Sequence, residues 1–210
     1  MKTVRLAALV SGSGSNLQAI IDAISKGELK AEIVQVIASK HNLPAQARAS
    51  LYHLPYEVVE RRTFGSDIEG MSDKITSLLE PQCIDLVILC GFLSFLGERM
   101  LSTWSGRIMN IHPSLLPAFG GAGMYGKRVH EAVLAYGCKV SGCTVMFVDE
   151  GKDTGPIILQ KAVHVQEYDT PDTLAARVML AENEAYPEAV RLFAEGRLRI
   201  SGRRVIIHES

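Results

Sequence analysis

The chain has 210 residues, 47% of them apolar and 21% charged, enough to bury a core without disulfide or metal staples. Its formal net charge of −1 excludes a global field that would hold it on nucleic acid or an anionic membrane. No apolar stretch approaches the length of a membrane span, and the first apolar run, about six residues ending in glycines and serines, is too short for a secretory signal, so a soluble cytoplasmic protein is expected.

In chain order, "VRLAALV" (4–10) reads as a buried strand, followed by the turn "SGSGSN" and an amphipathic helix over 17–27. "AEIVQVIAS" (31–39) is a second strand, "LPAQARASLYHL" (43–54) a helix with Pro44 in its first turn, and "YEVVE" (56–60) a short strand. The segment 70–83 contains a helix stopped at Pro81, "IDLVILCG" (84–91) is the clearest buried strand, 96–104 a short helix, and "RIMNIH" (107–112) returns to strand. Strands apolar on both faces that alternate with helices imply a parallel sheet covered by helices.

Beyond residue 120 the pattern changes. A helix over 128–137 ends at Gly137, and strands at 141–150 and 155–165 are joined by a turn at "GKDTG". The helix over 170–196 opens with Thr170 as N-cap and Pro171 behind it, and Pro187 should kink or split it. "RLRISGRRVIIH" (197–208) reads as a hairpin turning at Ser201–Gly202, with its arginines on a solvated face. No repeat, low-complexity tract or linker interrupts the pattern, so a single domain over 1–210 is expected. Cys83, Cys90, Cys138 and Cys143 show no metal-site spacing and read as small buried thiols.

Two stretches carry chemistry. Glycines in "SGSGSN" (11–16) let the backbone approach a ligand, and the helix that follows offers free N–H groups and the positive end of its dipole. The third glycine of a dinucleotide fingerprint is replaced by Leu17, no acid ends the second strand, and no Gly-Lys-Ser/Thr follows. The turn therefore suits a phosphate monoester better than a dinucleotide or ATP; the alternative is a purely structural strand-to-helix turn. The other stretch is "NIHPSLLP" (110–117). Asn110 and His112 lie two residues apart on a strand and so project from one face, at the end of a parallel strand where open α/β sheets bind ligands. An amide that cannot titrate and an imidazole that can donate a proton suit a developing oxyanion. Pro113 and Pro117 stiffen the segment, and either X-Pro bond is able to be cis. A carboxylate to keep the imidazole charged is on offer in "VDEGKDTG", at Asp149, Glu150 or Asp153, although turn former and satisfied loop histidine remain the alternatives.

"SGSGSNLQAII", "GFL", "MNIHPSLLP", "VDEGKDTGPIILQ" and "RVMLAENEAYP" occur in the order and spacing of the phosphoribosylglycinamide formyltransferase family, which the chain resembles from about residue 3 to 200. The resemblance implies a Rossmann-like open, twisted, mostly parallel sheet with helices on both faces, mixed toward the C-terminal half. It also divides the domain into a phosphate-binding half (about 1–110) and a folate-binding, catalytic half (about 111–210). The implied reaction moves the formyl group of 10-formyltetrahydrofolate, a co-substrate, to the amine of glycinamide ribonucleotide (GAR) in purine biosynthesis, with no metal.

The same resemblance assigns roles. Asn110 and His112 would stabilise the oxyanion, and Asp153 would keep His112 charged and assist proton transfer. Ser13, Gly14, Ser15 and Asn16 would receive the GAR phosphate and Glu182 its ribose hydroxyls. Phe92, Leu93, Ser94 and Leu96 would form the folate floor, and the backbone of Val148, Asp149, Glu150 and Gly151 would read the pteridine edge. Three positions depart from the family pattern: Met146 stands where a His is usual, Ser94 where an Arg follows "GF", and Asp67 where an Arg is common in "FxSRE". The longer segment "GGAGMYGKRVH" brings Tyr125, Lys127 and Arg128, as a solvated loop or as substitute anion ligands. Expected partners are the two small substrates, with no nucleic acid or membrane, in a monomer or homodimer. The alternatives are formyltetrahydrofolate hydrolase, methionyl-tRNA formyltransferase (which needs a further C-terminal domain), and a non-catalytic binding module on the same fold.

Overall fold

The computed structural model describes residues 2–209. Its contacts cluster into two compact units, one running to Met109 and the other starting at Asn110.

In the first unit, β1 (Val4–Val10), β2 (Ala31–Ala38), β3 (Tyr56–Val58) and β4 (Leu86–Cys90) are all parallel, with β1 between β2 and β4 and β3 outside β2. Every residue of β4 is buried, as the continuous apolar run required. The helices are α1 (Ser15–Ser25), α2 (Pro44–Leu51), α3 (Ile68–Leu79) and α4 (Glu98–Thr103). α1 packs against β2 and β4 through Leu17, Ile20 and Ile21, spaced to share one face.

Helix α3 starts two residues before the expected segment because Asp67 caps it, its carboxylate accepting the Gly70 amide at 2.8 Å. That bond satisfies one of the orphan N–H groups of the first turn. The position where the family pattern has arginine therefore has a structural role in this chain. Asp67→Ala should lower stability by about 1 kcal/mol, measured by urea denaturation; an unchanged midpoint would remove the cap from the account. α3 ends at Leu79, with Glu80 as its C-cap just ahead of Pro81, and a 3-10 turn over Glu80–Gln82 follows it.

Strand β5 (Ile108–His112) begins in the first unit and ends in the second. The second unit continues with α5 (Lys127–Tyr136), β6 (Val140–Phe147), β7 (Ile157–His164), α6 (Pro171–Ala194), β8 (Leu198–Ser201) and β9 (Arg204–Ile207). β6 and β7 are antiparallel, β7 meets β9 in parallel at Ile157–Arg204, and β8 and β9 close a hairpin. The fold is thus the expected α/β type, parallel in its first half and mixed in its second. Gly137 takes the left-handed conformation that ends α5, as its position after the periodic run required.

Two expectations are corrected. α6 runs unbroken through Pro187, with Thr170 and Thr173 forming a reciprocal capping box at its start. Pro187 forgoes only the bond to the Asn183 carbonyl, while Ala185, Tyr186, Ala189 and Val190 around it are fully buried, so packing holds the helix where propensity would break it. The terminal hairpin turns at Gly202–Arg203, one residue later than expected, because Ser201 and Arg204 pair and the positive φ of 58° falls on Gly202.

Candidate active site

The parallel register puts Val10, Ala38 and Cys90 side by side at the ends of β1, β2 and β4. The residues after them therefore meet at one edge. Ser39 donates its hydroxyl to Ser11 Oγ at 2.7 Å, and the Leu93 amide donates to the same oxygen at 3.0 Å. From this edge Ser13, Gly14, Ser15 and Asn16 lead into α1. Gly14 has φ 72°, and a Cβ there would stand 3.0 Å from that of Ala45, so both dihedral and space require glycine. Arg48 of α2 grips the outside of the turn, donating from Nε to the Ser13 carbonyl at 2.9 Å and from Nη1 to Gln18 Oε1 at 2.8 Å. The first amides of α1 have no intrahelical acceptor and remain available to an anion. Asn16 is only 8% exposed and its Oδ1 has no hydrogen-bond partner, a buried acceptor that suits a ligand hydroxyl or amine. After β4, Phe92 is buried, Ser94 and Leu96 are half-buried, and Leu93 is 59% exposed, an apolar step beside Ser11.

In the second unit, His112 is 4% exposed and Asn110 half-buried on the same face of β5. His112 Nε2 lies 2.9 Å from the Phe119 carbonyl. A carbonyl only accepts, so Nε2 carries the hydrogen and Nδ1 is the nitrogen turned to Asp153. The Nδ1 to Asp153 Oδ2 distance is 3.7 Å, an ion-pair separation when the imidazole is protonated and too long for a hydrogen bond. Asp153 has a φ of 56°, and its Oδ2 accepts the Gly121 amide at 2.9 Å. One carboxylate therefore faces the imidazole and ties down the loop whose Phe119 carbonyl holds the other ring nitrogen.

The intervening segment is fastened by side chains from the β6–β7 pair, one of them the buried Thr144. Thr144 Oγ1 accepts the Leu116 amide at 3.0 Å and donates to the Ser114 carbonyl at 2.7 Å. Gln160 donates to the Leu116 carbonyl at 2.9 Å, and the Leu116–Pro117 bond is cis. The loop after β6 is set by Asp149, whose Oδ1 accepts the Gly151 amide at 3.0 Å and the Thr154 hydroxyl at 2.7 Å. Asp149 Oδ1 is thus occupied within the loop. A Cβ on Gly155 would collide with the Phe147 carbonyl, so the turn tolerates only glycine there.

Glu182 is 8% exposed on the inner side of α6. Burial first, and then the charge of Glu182, push the Cys143 thiol up to about 12, so this cysteine is an inert core residue. Cys90 is likewise buried, whereas Cys83 is exposed at the end of the 3-10 turn, against the expectation that all four thiols are buried. Lys127 pairs with Asp172 at 2.7 Å, and the Arg128 guanidinium lies 5.0 Å from the centre of the Tyr125 ring, so both cations are engaged within the chain. Among the described residues no cluster of His, Cys, Asp or Glu is arranged to hold a metal ion, and no helix is long and apolar enough to cross a membrane.

Sequence reasoning missed His130 of α5, which is 4% exposed with an unpartnered Nδ1. Burial, and then the charge of His112, lower its pKa below the ordinary histidine value. The unfolded chain therefore binds the extra proton first, and stability falls as pH drops through the ordinary histidine range. His130→Phe should flatten that part of the stability–pH curve in urea titrations between about pH 7 and 5; an unchanged slope would assign the acid sensitivity elsewhere. Only the alternation of "RVHEAVL", which puts His130 on the apolar face with Val133, could have signalled it.

Residues 4–190 match the profile described as Formyl transferase, across both units. The chain belongs to the formyl transferase family. Among solved structures, this formyl transferase is similar to glycinamide ribonucleotide transformylase 1 from Symbiobacterium toebii, with 40% identity, a TM-score of 0.93, and coverage of 99% of this chain and 95% of that one. It is 38% identical to the phosphoribosylglycinamide formyltransferase of Haemophilus influenzae over 196 residues, 93% of this chain and 90% of the relative. It is 40% identical to the trifunctional purine biosynthetic protein adenosine-3 of Homo sapiens over 199 residues, and there it spans 19% of the relative's length. The other portions of such trifunctional proteins have no counterpart in this formyl transferase's match.

Proposed function

We propose that the chain transfers the formyl group of 10-formyltetrahydrofolate to the amine of GAR in purine biosynthesis, in the cytoplasm, as one functional domain. The observation that carries this reading is the His112 imidazole held between the Phe119 carbonyl and Asp153, on the same strand face as Asn110. The amine nitrogen bonds to the formyl carbon, and charge builds on the formyl oxygen. Asn110 and protonated His112 donate to that oxyanion, which must take the place of the Phe119 carbonyl at Nε2. The carbon–nitrogen bond to the folate then breaks. The incoming amine gives up one proton and the leaving nitrogen gains one, with Asp153 holding the imidazolium charged meanwhile. Ser13 to Asn16 receive the phosphate, Glu182 the ribose hydroxyls, Phe92, Leu93, Ser94 and Leu96 the ring floor, and the 148–151 backbone the pteridine edge. No step needs a metal.

The test mixes purified protein with 10-formyltetrahydrofolate, with and without GAR. Tetrahydrofolate release that requires GAR is the expected result. Release without GAR would replace transfer by hydrolysis, and no release in either case would leave a binding role.

A further inference from the structure

The terminal hairpin contributes little to the core. No residue of β8 or β9 is buried, and a two-stranded hairpin with so little burial is marginal on its own. Its base is closed by Arg197, which donates from Nε to the His208 carbonyl at 2.7 Å. It joins the sheet of the second unit where Arg204 pairs in parallel with Ile157, at the start of β7 and a few residues after Asp153. At the hairpin turn the guanidinium of Arg203 is directed to backbone, and its Nη2 donates to the Thr154 carbonyl at 2.9 Å. The hairpin therefore touches the loop that bears Asp153 from its outer side.

Thr154 is held from two directions. Its hydroxyl donates to Asp149 Oδ1 at 2.7 Å from within the loop, and its carbonyl accepts from Arg203 outside it. The next residue, Gly155, has no room for a Cβ against the Phe147 carbonyl, so the chain cannot relax in that direction. With both groups of Thr154 fixed, the backbone leaves Asp153 along one path. Asp153 has a φ of 56°, a left-handed conformation uncommon outside glycine, which persists where the surroundings over-determine it. We propose that Arg203 is a positioning residue for the transfer step. By fixing the Thr154 carbonyl it keeps Asp153 in the conformation that turns Oδ2 toward His112 Nδ1 and the Gly121 amide. The kinetic side of this inference rests on the formyl-transfer reading. A chain of contacts then runs from Arg203 through Thr154 and Asp153 to Gly121, and links the C-terminal hairpin to the loop ahead of α5.

The experiment measures GAR-dependent tetrahydrofolate release and amide exchange in the native protein, Arg203→Ala, Arg203→Lys, Asp153→Asn and the Arg203→Ala/Asp153→Asn pair. Arg203→Ala should lower kcat about three- to tenfold, as for one exposed hydrogen bond, while the KM for GAR stays within about twofold of native. Arg203→Lys, which keeps a charged donor, should recover part of the loss. Exchange at Gly121 should quicken in Arg203→Ala, although that amide lies far from the hairpin in sequence. In the Asp153→Asn background, adding Arg203→Ala should cost little further kcat, because the carboxylate it positions is already gone. An unchanged kcat in Arg203→Ala overturns the proposal, and so does an equal fold-loss in both backgrounds, which would make the effect independent of Asp153. Unchanged exchange at Gly121 overturns it without reference to turnover. If the native protein releases no tetrahydrofolate with GAR, the transfer reading fails by itself, and the exchange comparison still decides whether Arg203 holds the loop.

Discussion

His112→Ala should lower kcat by about a hundred- to ten-thousand-fold while the KM for GAR stays within a few-fold of native, the pattern of a group acting in the transition state. The imidazole meets its two neighbours through its ring edges, Nε2 on the Phe119 carbonyl and Nδ1 toward Asp153. Neither neighbour belongs to the proposed GAR phosphate turn. His112→Gln provides the control, because its amide N–H is able to keep the Phe119 carbonyl satisfied while it cannot carry the proton. Near-normal kcat in either variant would remove His112 from the chemistry, and a rise in GAR KM alone would make it a binding residue.

Asp153→Asn is the second large effect, with kcat expected to fall about a hundredfold or more. The geometry makes this substitution informative. Its Oδ2 now serves two partners, the Gly121 amide at 2.9 Å and the imidazole at 3.7 Å. Asparagine keeps an oxygen for Gly121 but has no charge with which to hold an imidazolium. Asp153→Ala loses both functions and should also speed amide exchange at Gly121 and its neighbours, a readout the Asn variant leaves nearly native. If Asn and Ala impair kcat and exchange alike, the carboxylate is a loop anchor and the electrostatic role is wrong.

Much of this architecture was legible because its signals are local. The wholly apolar run 86–90 admits little but a strand buried on both faces, and Gly137 and Thr170 mark helix ends through conformations and hydrogen bonds spanning a few residues. The failures have one origin in common. Pro187 stays inside α6 because surrounding burial outweighs one missing hydrogen bond, and Asp67 caps α3 although the family pattern at that position suggests a ligand contact. Propensity is a weak prior that packing overrides.

The candidate site divides in the same way. Alternation along β5 put Asn110 and His112 on one face, and the glycines of 11–16 announced a close backbone approach, since both are properties of consecutive residues. By itself the sequence determined the α/β class, the strand that bears the polar pair, and the resemblance that named a formyl-transfer chemistry. Residue pattern left three acids open as partners of His112 and the resemblance singled out Asp153; only the tertiary structure showed its Oδ2 at 3.7 Å from Nδ1, Asp149 Oδ1 spent within its own loop, and the Phe119 carbonyl that fixes which imidazole nitrogen holds hydrogen. It also brought Arg203 of the terminal hairpin to the Thr154 carbonyl beside Asp153. These are contacts between residues distant in the chain, set by the packing of loops at strand ends, where no period of 2 or 3.6 residues leaves a trace.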